Sequence, residues 1–306
     1  MRIGVSLSSS HRTDDAREGA RWMIERTRAA NAAGLDSLFV GDHHSTGPGK
    51  YYQNSPILGR LLAEWDDRPA GALYLLPLWH PVLLAEQVGT LASIAQGRFI
   101  MQCAVGAEDD PAFDALGVNP THRPSRFEEC LETVRALWAG ESVEGNGRRY
   151  PFRTARVAPV PSEPVEVWIG GSVPATIDRA ARLGDAWLAD PGLTPIVARE
   201  HAAMYLDRTV AHGRKPKAVA IRRDIYVGAD PEEARRTVAP ILARGYRGFD
   251  PSALVWGSVE QVAEQFRTLA DAGYTDVITR DLVSDPALVL GSVGRLGAVR
   301  RLVAEA

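Results

Sequence analysis

Ala33-Gly34-Leu35-Asp36-Ser37-Leu38-Phe39-Val40-Gly41-Asp42 puts a helix end, a turn and a strand into ten residues. A helical pattern stops, a glycine follows, and a short β-rich run begins within about three residues, as αβ connections require. The same punctuation recurs at Gly97 before 99–105, at Gly184 before 186–188 and at Gly273 before 276–279. Glycine suits these places because the residue just past a helix end commonly turns left-handed, where a Cβ would clash.

Between these points the helical segments are amphipathic. Leu84, Val88, Leu91, Ala92 and Ala95 share one stripe, and Val259, Val262, Ala263, Phe266 and Ala270 share another, so their apolar sides face a sheet. Ser125 with Glu128 and Ser258 with Gln261 read as capping boxes at helix starts. Strands are expected at 3–7, 37–41, 71–76, 99–105, 165–170, 186–189, 221–227 and 276–280. Helices are expected at 16–33, 57–64, 83–95, 125–137, 174–183, 196–211, 231–243 and 259–272, with a further one near the C-terminus. Strict β-then-α order with short apolar strands predicts an α/β fold with a parallel sheet, and eight units predict closure into a (β/α)₈ TIM barrel. Two stretches interrupt the unit. Residues 140–164 are rich in Gly, Arg and Pro and carry the turn Glu144-Gly145-Asn146-Gly147, which predicts an excursion with a hairpin before strand five; residues 243–256 form a second, shorter insertion before strand eight. Patterns resume directly after each, so residues 1–306 are read as a single domain.

A chain of 306 residues with 45% hydrophobic and 24% charged content can bury one large core. A formal net charge of −3 leaves no basic excess for neutralising phosphates along a nucleic acid. The two cysteines, Cys103 and Cys130, lack the paired spacing of a zinc site or a disulfide scaffold. With no export signal in Met1-Arg2-Ile3-Gly4-Val5-Ser6-Leu7 and no run of transmembrane length, a reducing cytoplasm is the expected setting and a membrane is not.

In such a barrel the loops after the strands form the active site. After strand two comes Asp42-His43-His44 and the glycine-rich stretch 45–52; after strand three, Pro77-Leu78-Trp79-His80-Pro81; after strand four, Gly106-Ala107-Glu108-Asp109-Asp110; after strand five, Gly170-Gly171-Ser172; and strand seven carries Arg222-Arg223-Asp224. Gly170-Gly171-Ser172 leads into a helix with Pro174 in its first turn, a good opening position. Free amides there could hold a phosphate, although a tight turn with a serine cap explains the motif equally well. His43 sits where its ring can exchange protons near neutral pH, or where it simply bonds a neighbouring carbonyl. His44 is expected to point elsewhere in a structural role, and Asp42 to orient the strand end or bond loop amides. Glu108 is a proton donor if burial raises its pKa, and part of a solvated acidic loop if not. Tyr51, Tyr52, Tyr74 and Trp79 could wall an aromatic cofactor or merely pack.

These residues resemble the luciferase-like family of flavin- and deazaflavin-dependent oxidoreductases. The likeness rests on 33–44, on Trp79-His80-Pro81-Val82-Leu83-Leu84-Ala85-Glu86-Gln87, on Gly97-Arg98-Phe99, on Trp168-Ile169-Gly170-Gly171-Ser172 and on Gly184-Asp185-Ala186-Trp187. It implies a cofactor, reduced FMN or coenzyme F-420, with its phosphate at Gly170, Gly171, Ser172, Val173 and Thr176 and its ring near Leu73, Tyr74, Gly106 and Ala107. It implies a non-prolyl cis peptide at Leu73-Tyr74, and proton work by His43 and Glu108. Two departures are visible: Val105 stands where FMN-binding members tend to place an arginine, and Leu73 and Tyr74 are bulkier than is usual at the cis bond.

The leading expectation is a monooxygenase that uses reduced FMN and O₂ to oxidise a small organic substrate. The alternative is an F-420-dependent hydride-transfer oxidoreductase. A flavin reductase and a second copy in a homodimer are the expected protein partners. From other classes come a metal-dependent barrel hydrolase using His43, His44, His80 and Glu108, and a non-catalytic flavin-binding barrel. The hydrolase is disfavoured because strand one ends in Ser6-Leu7-Ser8 without a histidine pair, so no metal ligand is assigned.

Overall fold

The computed structural model describes residues 1–47 and 49–305, with Asn146 as backbone only; Pro48 of the glycine-rich stretch and the side chain of Asn146 lie outside the described residues. The barrel strands are β1 Arg2–Leu7, β2 Ser37–Val40, β3 Ala70–Leu75, β4 Phe99–Ala104, β5 Glu166–Gly170, β6 Ala186–Ala189, β7 Ala218–Val227 and β8 Asp276–Asp281. They are hydrogen-bonded in the order β6-β5-β4-β3-β2-β1-β8-β7, and β7 pairs again with β6, which closes a parallel barrel of eight strands.

The helices are α1 Ala16–Ala32, α2 Asn54–Leu61, α3 Pro81–Ile94, α4 Arg123–Trp138, α5 Pro174–Leu183, α6 Pro195–Ala211, α7 Pro231–Ala243, α8 Val259–Asp271 and α9 Pro286–Ala304. Five of these open on proline, whose fixed φ and missing N–H suit the first helical position. That is why α3 and α6 begin slightly before their apolar stripes suggest. No helix among the described residues is long and apolar enough to cross a membrane.

Four local expectations need correction. The Ser125–Glu128 capping box does not form: α4 starts at Arg123 behind a 3₁₀ turn at Pro120–His122, and Ser125 donates its hydroxyl back to the His122 carbonyl at 3.0 Å. The hairpin of the 140–164 excursion is present as Val143–Asn146 antiparallel to Pro151–Ala155, but Glu144, Gly145 and Asn146 belong to its first strand. The turn is displaced because the Glu129 carboxylate accepts the amides of Arg149 and Tyr150 at 2.9–3.2 Å. The second insertion adds a short strand, Val255–Gly257, beside β7 with Ile225 opposite Val255. Finally, Gly34 and Gly273 are left-handed as expected, whereas Gly97 has a different reason: a Cβ there would lie 1.9 Å from the Asp67 carbonyl oxygen.

The chain divides into two compact units. In the first, 1–8 with 20–39 and 168–306, β1 pairs with β8 (Ile3 opposite Val277), β8 with β7 (Arg222 opposite Ile278) and β7 with β6 (Ala218 opposite Ala186). Its core is aromatic: the buried Trp187 lies 5.4 Å from Tyr205 and 6.1 Å from Tyr274, centroid to centroid. In the second, 9–19 with 40–167, β3 and β4 pair from Ala70 opposite Phe99 to Leu75 opposite Ala104. There Arg126 of α4 donates to the Pro77 carbonyl at 2.8 Å and Tyr150 of the excursion donates to the Leu76 carbonyl at 3.3 Å, so the loop after β3 is held from both.

The box at the start of α8 does form. Gln261 N donates to Ser258 Oγ at 3.4 Å, and Ser258 N donates to Gln261 Oε1 at 3.0 Å. Ser258→Ala should therefore lower stability by ~1 kcal/mol, the usual cost of a lost N-cap, in urea unfolding followed by circular dichroism. An unchanged midpoint would show that the cap carries no stability.

Candidate active site

Beyond Val40, where β2 ends, Asp42 and His44 come into contact, while His43 meets Tyr51. Asp42 is fully buried, and its Oδ2 accepts the amide of Leu75 and the indole N–H of Trp79, each at 2.8 Å. Its Oδ1 lies 3.2 Å from Nε2 of His44, whose half-buried ring meets Trp79 edge-on at 5.7 Å. Contact with the Asp42 carboxylate raises the pKa of His44 above the ordinary histidine range; burial opposes this and Asp110 adds to it. Asp42 bonds a loop amide as expected. His44 is not turned away from that network but belongs to it.

His43 is exposed, with its ring perpendicular to Tyr51 at 5.5 Å and its carbonyl accepting from Gln53 Nε2 at 3.1 Å. Tyr52 lies against His11 and donates its hydroxyl to the Ala16 carbonyl.

Among the described residues the cis peptide is Ala158–Pro159, so the Leu73–Tyr74 bond is trans. The regular register with β4 explains this, since Leu73 opposes Gln102 and Tyr74 opposes Cys103 without a break. A non-prolyl cis bond would cost about 2.5–4 kcal/mol. The Leu73 carbonyl is also taken by Asn54 Nδ2 at 2.8 Å. Leu73 is half-buried at the strand end, whereas Tyr74 is fully buried, edge-on to Trp79 at 5.3 Å, with its hydroxyl 3.4 Å from Ser55 Oγ. Burial pushes its phenol well up. Of the aromatics singled out in the sequence, Tyr74 is fully buried, whereas Tyr51, Tyr52 and Trp79 are half-buried.

After β4, Gly106 is left-handed with φ +81 and half-buried, and Ala107 is exposed. Glu108 is not buried: its side chain is 71% exposed and pairs with Arg123 at 3.3 Å.

After β5, Gly170, Gly171 and Ser172 are half-buried and Val173 is exposed. Gly171 has φ +140, and a Cβ on it would lie 2.6 Å from Thr176 Oγ1, so only glycine fits against that side chain. The loop is well braced. Trp187 Nε1 donates to the Gly171 carbonyl at 2.7 Å, Ser172 Oγ accepts from Asp190 N at 3.0 Å, and Gly171 N donates to Leu188 O at 3.2 Å. Thr176 Oγ1 accepts from Val173 N at 3.2 Å, so this hydroxyl closes the helix start and fewer amides remain open to an anion than the motif suggests.

Two features escaped the sequence reading. The Asp42–His44 pair has only its two-residue spacing as a local signal, and the indole that anchors it comes from a loop 37 residues later. On β7, Asp224 is fully buried and collects Tyr246 at 2.8 Å, Arg247 at 3.0 Å and Arg222 at 3.3 Å. Among the described residues no three His, Cys, Asp or Glu side chains converge as a metal site.

Residues 1–253 match the family model for luciferase-like monooxygenases. The F420-dependent glucose-6-phosphate dehydrogenase of Beutenbergia cavernae is 30% identical over 282 residues, covering 87% of this chain and 80% of that protein. The crystal structure of the monooxygenase RslO1 from Streptomyces bottropensis superposes with a TM-score of 0.85 at 21% identity, covering both chains fully. An F420-dependent secondary alcohol dehydrogenase superposes at 0.79 with 18% identity, over 99% of this chain and 98% of that one. With its barrel, its strand-end loops and a family match over 1–253, the chain belongs to the luciferase-like monooxygenase family.

Proposed function

We propose that this protein is an oxidoreductase that transfers hydride between coenzyme F-420 and a small organic substrate. The observation that carries the reading is the 30% identity, over 87% of the chain, to an F420-dependent dehydrogenase. Val105, where an arginine would serve an FMN phosphate, agrees with it.

When bound, the deazaflavin supplies the hydride chemistry. The loop after β5 would hold the cofactor's phosphate at Gly170, Gly171, Ser172 and Val173, with Thr176 shaping the start of α5; glycine is required at 171, where a Cβ would lie 2.6 Å from Thr176 Oγ1. Leu73 and Tyr74 of β3, with Gly106 and Ala107 of the loop after β4, would line the ring. His43, exposed at the end of β2, exchanges the proton that accompanies hydride transfer. Glu108 draws substrate or relays a proton from its exposed position beside Arg123. The second reading, a reduced-FMN monooxygenase, is favoured by the double histidine His43-His44 and would need a flavin reductase to supply the cofactor. Either reading suits a homodimer in the cytoplasm.

Titration with F-420 and with FMN, followed by oxygen consumption after reduction, tests this directly. Tight F-420 binding without oxygen uptake is the expected result; FMN binding with uptake coupled to substrate oxidation would overturn it in favour of the second reading. His43→Ala should leave cofactor affinity nearly unchanged and lower turnover by roughly 10²–10⁴, the range for loss of a general acid or base. Loss of cofactor binding in a folded His43→Ala protein would make the residue a binding contact instead. Gly171→Val should weaken cofactor binding first, because its Cβ lies where Thr176 Oγ1 is 2.6 Å away. Unchanged affinity in that variant would move the phosphate elsewhere.

A further inference from the structure

We propose that His44 is a proton donor of this site, held as an imidazolium by the buried carboxylate of Asp42, with Trp79 as the positioning residue that fixes the carboxylate. The inference deepens the oxidoreductase reading and rests on it.

Three loops converge on this ring. Asp42 reaches it from the end of β2 at 3.2 Å, Trp79 packs on it from the loop after β3, and Asp110 adds negative charge from the loop after β4. Among the described residues these are the groups that act on it, and both charged ones are carboxylates. Asp42 cannot relax toward water, since it is fully buried and pinned by the Leu75 amide and the Trp79 indole. Those two donors fix Oδ2 and so leave Oδ1 aimed at His44. The ring keeps about a fifth of its side-chain surface exposed, while its Nε2 is buried. It is thus partly open on one side and charge-paired on the other, the arrangement by which carboxylate–histidine pairs fix ring orientation and favour the charged form.

In the proposed step the imidazolium gives one proton to an oxygen of the bound small molecule. The N–H bond breaks, an O–H bond forms, His44 becomes neutral and solvent returns the proton; His44 itself exchanges no electrons. Adjacent in sequence, His43 instead meets Tyr51 edge-on at 5.5 Å.

The apo protein permits a test without any cofactor. NMR titration of the histidine ring C–H signals, with His44→Gln for assignment, should show His44 titrating above the ordinary histidine range. Asp42→Asn should lower its protonation constant about tenfold or more, one pKa unit being a factor of ten. Trp79→Phe, which keeps the ring but removes the indole donor, should lower it by less. In the loaded enzyme the alkaline limb of the kcat profile should move down in pH by the same factor in Asp42→Asn. A His44 signal at or below the ordinary range, or one that Asp42→Asn and Trp79→Phe leave unmoved, would overturn the pairing. A moved signal with an unmoved kcat profile would reduce His44 to a structural role. Should neither cofactor support turnover, the oxidoreductase reading and the donor role fail together, while the apo titration still decides the pairing.

Discussion

A carboxylate placed where water cannot reach must be answered by donors, and around Asp42 the answer sets the geometry of one side of the barrel mouth. Its oxygens take the Leu75 amide at the end of β3 and the Trp79 indole beyond it, and then face His44. Each such bond to a charged group contributes about 1.5–3 kcal/mol, and removing one partner of a buried set costs more than the bond itself because the survivor is left unsolvated. The end of β2 and the loop after β3 are therefore tied at one point. Arg126 and Tyr150 brace the same loop from outside by taking the carbonyls of Pro77 and Leu76. A loop held this firmly can present side chains with little reorganisation, which is the condition for electrostatic work in an active site.

The His44–Asp42 contact also has a pH signature. The pKa of His44 is raised in the folded protein, so the pair's stabilisation is fully present below the ordinary histidine range and is lost as pH rises through the raised value. In contrast, the Gly171 loop is organised by neutral groups alone: an indole, a serine hydroxyl and backbone amides. Its affinity for an anion would come from dipoles, with no charge change across the same pH span.

The strand and helix pattern was readable because it depends on short-range physics. Apolar periodicity and helix-ending glycines placed eight strands within a few residues of their observed bounds. Misreadings arose where a distant partner decides. Glu129 of α4 moves the hairpin turn past Gly147, and prolines 120 and 124 start α4 ahead of Ser125. Arg123 draws Glu108 into an exposed ion pair, and the unbroken β3–β4 register keeps Leu73–Tyr74 trans. For the histidines, the sequence reading turned 44 away, and its contact with Asp42 was missed because the donors that bury and fix that carboxylate, Leu75 and Trp79, lie 33 and 37 residues away.

The account stands on Asp42 and Trp79 acting as one unit, and a double-mutant cycle measures that coupling most directly. Asp42→Asn, Trp79→Phe and the double variant, unfolded in urea at pH 6, should show an interaction energy of about 1–3 kcal/mol, the range for residues sharing one buried network. Additivity within about 0.5 kcal/mol would mean that the indole and the carboxylate are independent, and that the mouth is not built around this interaction.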